Sequence, residues 1–335
     1  MRRRLAGPSD CHGTADEGAH STHPTGSTGS PQAGSGQAVT RQPRAWLEAQ
    51  TLVRAYYAGL LYLAFADAAG WSELAGRSEA GLLWPVLWMK ATGVRAGALL
   101  VLAAHVGGAL AGAVAPGQRW CRALAAVGLL QHTALVYSAG KIGHGLHLWV
   151  LTSLVLVFLP DWRAGGPPPG RRERQEFLNV FWTAHALVML TYSMSGLGKV
   201  LGALWQASQG QVTAFHPQAM ALHIADRLLE TGGQSPVGLW LVDNTWAAWP
   251  MMLGAIYLQF FAFWAIFRPR LLAIWTAGLI LFHLATYFTL TIRFAPPVLL
   301  LALWGLASPF APERPAAGKL LAQMPLVGIL ARKRA

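Results

Sequence analysis

Apolar residues in this chain come in runs, not in the short periodic stripes of a soluble fold. From Val53 onward eight stretches are apolar enough to read as membrane-spanning helices, at 53–69, 94–114, 120–138, 145–160, 179–198, 246–267, 271–291 and 295–310. Between them fall turn-forming residues: Pro116-Gly117, Gly140, the 165–170 run GGPPPG, Arg268-Pro269-Arg270 and Pro296-Pro297. The expected fold is therefore all-α, a polytopic membrane bundle of about eight helices over residues 46–312.

Two connections are long. Residues 70–93 contain LLWPVLWMK, apolar but broken by Pro85 and too short to span, so it is expected to lie on the membrane surface. The 200–245 connection contains PQAMALHIADRLLE, where Met220, Ile224 and Leu228 form one apolar line. Pro217 precedes it and Gly232-Gly233 follow, which predicts an amphipathic interfacial helix over 217–230. Residues 1–45 are rich in Gly, Ser, Thr, Pro and Gln and lack the apolar side chains that offset ordering entropy; a disordered tail is expected. His12, His20 and His23 fall in it and are expected to be solvated. Residues 313–335 read as a short basic tail.

Composition agrees with this class. Only 12% of the 335 residues are charged and 54% are hydrophobic, with 15 tryptophans; a soluble domain carries about twice that charged share. The net charge of +12 could suggest nucleic acid, but its distribution explains it better. With the N-terminus placed in the cytoplasm, seven of the 26 Lys and Arg fall outside: Arg77, Lys90, Arg95, Lys141, Lys199, Arg227 and Arg293. The other 19 fall inside, which predicts both termini cytoplasmic in a cell membrane, with the lipid bilayer as partner and no nucleic acid. MRRRLAGPSD carries no apolar run after its arginines and so does not read as a signal peptide. Cys11 and Cys121 form no CxxC pair, so neither a disulfide framework nor a metal site is expected. GxSxG, HExxH, P-loop and GxGxxG patterns are also absent.

Candidate chemistry gathers on the side with fewer charges. In the fifth span, His185, Tyr192, Ser195 and Lys199 share one helical stripe at separations of 7, 3 and 4 residues. Lys199 stands at the far edge of the membrane, where a snorkelling lysine is the competing explanation. The turn SAGKIGHGLHLWV brings Lys141, His144 and His147 to the same side. His283 and Tyr287 lie in the outer half of the seventh span, Arg293 at its end and His132 in the third. Intramembrane ionisable groups are functional hypotheses by default, although each of His105 and His185 taken singly reads as a core histidine bonded to a neighbouring helix.

Three features together resemble the HTTM (horizontally transferred transmembrane) family, which includes the membrane part of the vitamin K-dependent gamma-carboxylases. They are the turn with a histidine six residues after a lysine, Lys141 to His147; the span ending SGLGKVLGALW; and FHLATYF ahead of a short span closing at Pro309-Phe310. The resemblance covers residues 50–310. It implies Lys199 as the base that deprotonates a reduced quinone of the vitamin K type, with His147 supporting the reacting oxyanion. His283, Tyr192, Tyr287, His144 and Lys141 would then line the quinone pocket. The carboxylases add a large lumenal portion, and this chain ends about 25 residues after its last expected span; carboxylation of a propeptide-bearing protein is therefore not expected. The Asn pair before the family's histidine is Gly145-Leu146 here.

Two readings stand side by side, with transport a third. In the first, the chain is a quinol-dependent enzyme; in the second, it is a non-catalytic membrane subunit whose polar residues serve helix packing. A shared cavity facing Lys199, His147 and His283 would favour the first. Pairwise bonding without one would favour the second.

Overall fold

A computed structural model of the chain describes residues 35–67, 81–138, 140, 143–163, 169–310, 320 and 323–328, with side chains from residue 45 onward. Thr40–Ala335 forms one compact unit, and Met1–Val39 a second of which only the helical stretch from Ser35 is described. The histidines of the tail lie outside the described residues, as does Lys141.

The described residues contain helices and no strand. In chain order these are α1 Ser35–Asp67, a 3-10 turn Trp84–Val86, α2 Met89–Thr92, α3 Val94–Val114, α4 Arg119–Ser138, α5 His147–Leu156 and α6 Arg171–Ser208. Then follow α7 Ala219–Thr231, α8 Pro236–Asp243, α9 Thr245–Phe260, α10 Ala262–Ile266, α11 Pro269–Leu290 and α12 Ala295–Leu301, which runs into a π-helical turn, Ala302–Leu306. Three of them, α3, α6 and α11, are long and apolar enough to cross a membrane. α5 and the Ala295–Leu306 segment are apolar but shorter. Helix α1 starts ten residues before the end of the expected tail.

The expected 246–267 span is helical but not continuous: the helix breaks at Phe261 between α9 and α10. Ser193 of α6 occupies the break. Its hydroxyl donates to the Phe260 carbonyl (2.9 Å) and accepts from the Phe263 N–H (2.8 Å), so the interruption leaves these groups paired. The same crossing needs a small residue on α6. A Cβ at Gly196 would sit 2.5 Å from the Phe260 Cα.

α3 and α4 are the most extensively packed helix pair among the described residues. Gly108 lets them approach, since a Cβ there would stand 2.6 Å from the Leu124 carbonyl oxygen. The buried rings of His105 and His132 stack in this interface, with centroids 4.3 Å apart and planes 7° from parallel. The main core joins α1, α5, α6, α11 and the π-helical turn. At its centre Tyr56 stacks on Trp149 (4.8 Å) and on Trp304 (5.5 Å), with Phe181 edge-on to Trp304 at 4.5 Å. Two of these aromatics have paired polar ends, since Tyr56 Oη donates to the Trp149 carbonyl (2.7 Å) and Trp149 Nε1 donates to the Pro296 carbonyl (2.8 Å), while Trp304 Nε1 is buried without a hydrogen-bond partner among the described residues.

The predicted amphipathic helix is present as α7, ended by Gly232 in the left-handed conformation at φ 62°. Ile224 and Leu228 bury against Leu241, Ala248 and Leu290. α8 begins at Ser235, whose Oγ accepts from the Gly238 N–H (2.8 Å), with Pro236 in its first turn. In the 82–90 segment Val86 and Met89 are fully buried under α3 and α4, while Trp84 is 77% exposed. It is thus partly a packing element and not simply a surface strip.

Candidate functional site

The polar stripe of α6 divides along its length. His185 is buried, one ring nitrogen 3.0 Å from the Phe181 carbonyl one turn earlier. Its other nitrogen meets the carbonyl of Trp304, inside the π-helical turn, so the imidazole bridges α6 to that turn. A π-type turn displaces carbonyls from their usual i→i+4 partners, and this histidine supplies a contact for one of them. Rings of Phe181, Trp304 and Phe310 surround it at 4.9 to 5.7 Å.

Two turns on, Tyr192 reaches α11. Its hydroxyl lies 2.7 Å from His283 Nε2, and both residues are buried. A tyrosine O–H donating to Nε2 places the imidazole proton on Nδ1. That Nδ1 is buried and has no hydrogen-bond partner among the described residues. Phe282 and Phe294 flank the ring at 5.1 and 4.9 Å. Tyr192 and His283, each expected only to line a pocket, are thus brought into direct contact.

Lys199 behaves differently. It is exposed, and its ammonium donates to Ser195 Oγ at 3.0 Å within its own helix. From Phe177 it lies 22 residues along α6, roughly 33 Å at 1.5 Å per residue, about the full depth of a hydrocarbon core. Tyr287 is also on the outside, 41% exposed, with the Arg293 guanidinium 5.6 Å over its ring. One turn separates it from His283, but it is exposed where that pair is buried.

The histidine turn forms a third group. His144 is exposed and its Nδ1 lies 3.3 Å from Nδ1 of His147, the first residue of α5. Two Nδ1 atoms can share one proton in that contact, one donating and one accepting. Tyr137, near the end of α4, packs edge-on to His147 at 5.2 Å. Tyr137 was not legible as a candidate, because residues 136–138 read as the ordinary end of a span; its spacing of ten residues from His147 crosses a turn and carries no periodic signal.

Among the described residues, no hydrogen bond or ring contact joins Lys199 to His147 or His283, and no cluster of His, Cys, Asp or Glu is suited to a metal ion. A cavity of about 850 Å³ opens elsewhere, lined by Arg54, residues 113–118 and Asp161, Trp162 and Arg163. It sits at the Arg119 end of α4, whereas His144 and His147 follow the Ser138 end, roughly 28 Å away along a helix of this length.

No family model matches the chain, and neither a curated protein nor a solved structure is significantly similar to it.

Proposed function

We propose that this chain is a multi-pass membrane protein of the HTTM type in which the polar residues of α6 and α11 bond helix to helix, making it a non-catalytic membrane subunit. Eight crossings with both termini in the cytoplasm are part of this reading; the 19-to-7 division of Lys and Arg supports them. The observation that carries it is the pairwise closure of the candidate residues. Tyr192 binds His283, His147 binds His144, and Lys199 binds Ser195 on the surface. A base and an oxyanion stabiliser must reach one bound substrate together, and these groups belong to separate contacts.

A second reading is favoured by one observation, the unpartnered buried Nδ1 of His283. A quinone carbonyl accepting from it would complete the hydrogen bonding of the Tyr192–His283 pair between the flanking phenylalanines. In that reading the quinone is bound by donors, and Lys199 takes no part as a base.

The two readings separate in lipid nanodiscs titrated with a vitamin K-type quinone and its reduced form under oxygen. The subunit reading predicts neither saturable binding nor oxygen-dependent quinol oxidation. Saturable binding that His283→Leu removes and Lys199→Ala retains would replace it with the second. Turnover abolished by Lys199→Ala would restore a lysine-base enzyme.

A further inference from the structure

We propose that the cavity between α1, the α3–α4 turn and the segment after α5 binds the phosphate of an anionic phospholipid, with an acyl chain lying along α3. This rests on the membrane reading above but on none of the residues at the α6–α11 contact.

The cavity wall is built around a buried cation whose two terminal nitrogens are paired, while its Nε has no hydrogen-bond partner among the described residues. Arg122 is fully buried; it donates to the Pro116 carbonyl at 2.8 Å and to the Leu159 carbonyl, and meets Asp161 at 3.2 Å. Its guanidinium also lies 5.2 Å over the Trp162 ring. The same Asp161 oxygen accepts from the Arg119 N–H at 2.7 Å, so its charge is committed to α4's first turn and to Arg122. The Trp162 N–H donates to the Gly117 carbonyl at 3.0 Å, tying the two loops together across the wall. These links make the wall rigid and leave it with one carboxylate and one buried arginine in balance.

At the mouth, that balance is lost. Arg54 and Arg163 line the cavity, and both are exposed. Arg119, the first residue of α4, holds its guanidinium 5.8 Å from the Phe158 ring. Among the described residues, no acidic one other than Asp161 lines the space. Two exposed arginines lining a recess that is part polar and part apolar match a phosphodiester, which arginine binds through paired N–H donors, with an apolar chain beside it.

Apolar surface leads out of the same cavity. Val114, part of the lining, is 77% exposed, and Leu110 one turn earlier on α3 is 50% exposed; Phe158 is 66% exposed beneath Arg119. A free phosphate would leave that surface unused, whereas a lipid covers it with an acyl chain while its headgroup enters between the arginines. The site also lies on the arginine-rich side expected to face the cytoplasm, where basic pockets between helices meet anionic headgroups.

The test is native mass spectrometry of detergent-purified protein with added phosphatidylglycerol, with phosphatidylcholine of the same chains, and with inorganic phosphate alone. The wild type should retain one phosphatidylglycerol in clear preference to phosphatidylcholine. Arg54→Ala/Arg163→Ala should lower that preference about tenfold, the scale expected for losing charge-assisted bonds, and Arg54→Lys/Arg163→Lys should restore part of it. Both positions are exposed, and an unchanged melting temperature verifies that each variant is folded. Equal retention of the two lipids by the wild type would overturn the proposal, as would a preference that the double alanine variant keeps. Inorganic phosphate binding as strongly as phosphatidylglycerol would also overturn it, assigning the cavity to a free anion. Failure of the membrane reading itself would show separately, as protein recovered in solution without detergent.

Discussion

Lys199 and Arg122 show how differently two cations are held in one apolar protein. Lys199 is exposed, with a single hydroxyl partner one turn away. Its truncation removes little, so Lys199→Ala should change stability by no more than about 0.5 kcal/mol, read as the thermal midpoint in detergent. Arg122 has no exposure and holds two carbonyls and a carboxylate. Arg122→Met leaves those acceptors facing each other without a cation, and should cost on the order of 3 kcal/mol. A shift as small as that of Lys199→Ala would show that Arg122 does not hold the two loops. Sequence patterning reaches one of these residues and misses the other. Lys199 stands out because it ends an apolar run, while Arg122 sits at the start of an expected span beside Arg119, where it reads as one more cytoplasmic charge.

At the scale of elements, spacing and punctuation foretell most helices, and tertiary contacts explain the rest. Met220, Ile224 and Leu228 mark α7 in advance because an amphipathic surface helix must show its apolar line in the sequence. The break at Phe261 carries no such mark. AIYLQFFAFWAIF has no Gly or Pro, and the interruption depends on Ser193 from another helix entering it. The π-helical turn at Ala302–Leu306 is equally silent, since its odd carbonyl is met by His185, 119 residues away in sequence. The α3–α4 contact gives a test at this scale. Gly108→Leu would drive a side chain into the Leu124 backbone, which lies 2.6 Å from the Cβ position. It should destabilise the fold by about 1–3 kcal/mol, the usual range for overpacking, whereas Gly107→Leu should be nearly neutral, because its Cβ position meets nothing within 4 Å. Thermal midpoints of the two variants, side by side, check the contact.

For the whole molecule, the contrast is between what composition settles and what it leaves to geometry. A charged fraction of 12% and long apolar runs lead to the expectation of a helical membrane protein, and three helices long and apolar enough to cross a membrane, present among the described residues, are compatible with it. The grouping of polar residues was foreseen less well. His185, Tyr192, Ser195 and Lys199 share a helix face by arithmetic, yet the first two are buried and the last two exposed, because burial depends on which neighbours cover each turn of α6. A common face is therefore weaker evidence for a common site than it looks. Topology supplies the prediction at this scale. If both termini lie inside and the chain crosses eight times, as proposed, a cysteine placed at Gly145 should react with an impermeant maleimide added outside intact cells, and one placed at Arg163 should react only after permeabilisation. Labelling of both from the same side would rule out a crossing by the α5 segment.

The pairing of Tyr192 with His283 is the centre of this account, and a double-mutant cycle on thermal unfolding in lipid, with and without added vitamin K-type quinone, tests it most directly. Tyr192→Phe and His283→Leu should each lower stability, and the double variant should lose less than their sum, with a coupling on the order of 1 kcal/mol as found for interhelical hydrogen bonds in membranes. Quinone should leave the wild-type midpoint unchanged. Additive losses together with a quinone-dependent rise in the wild-type midpoint, absent in His283→Leu, would contradict the packing role and give the pair to a bound quinone.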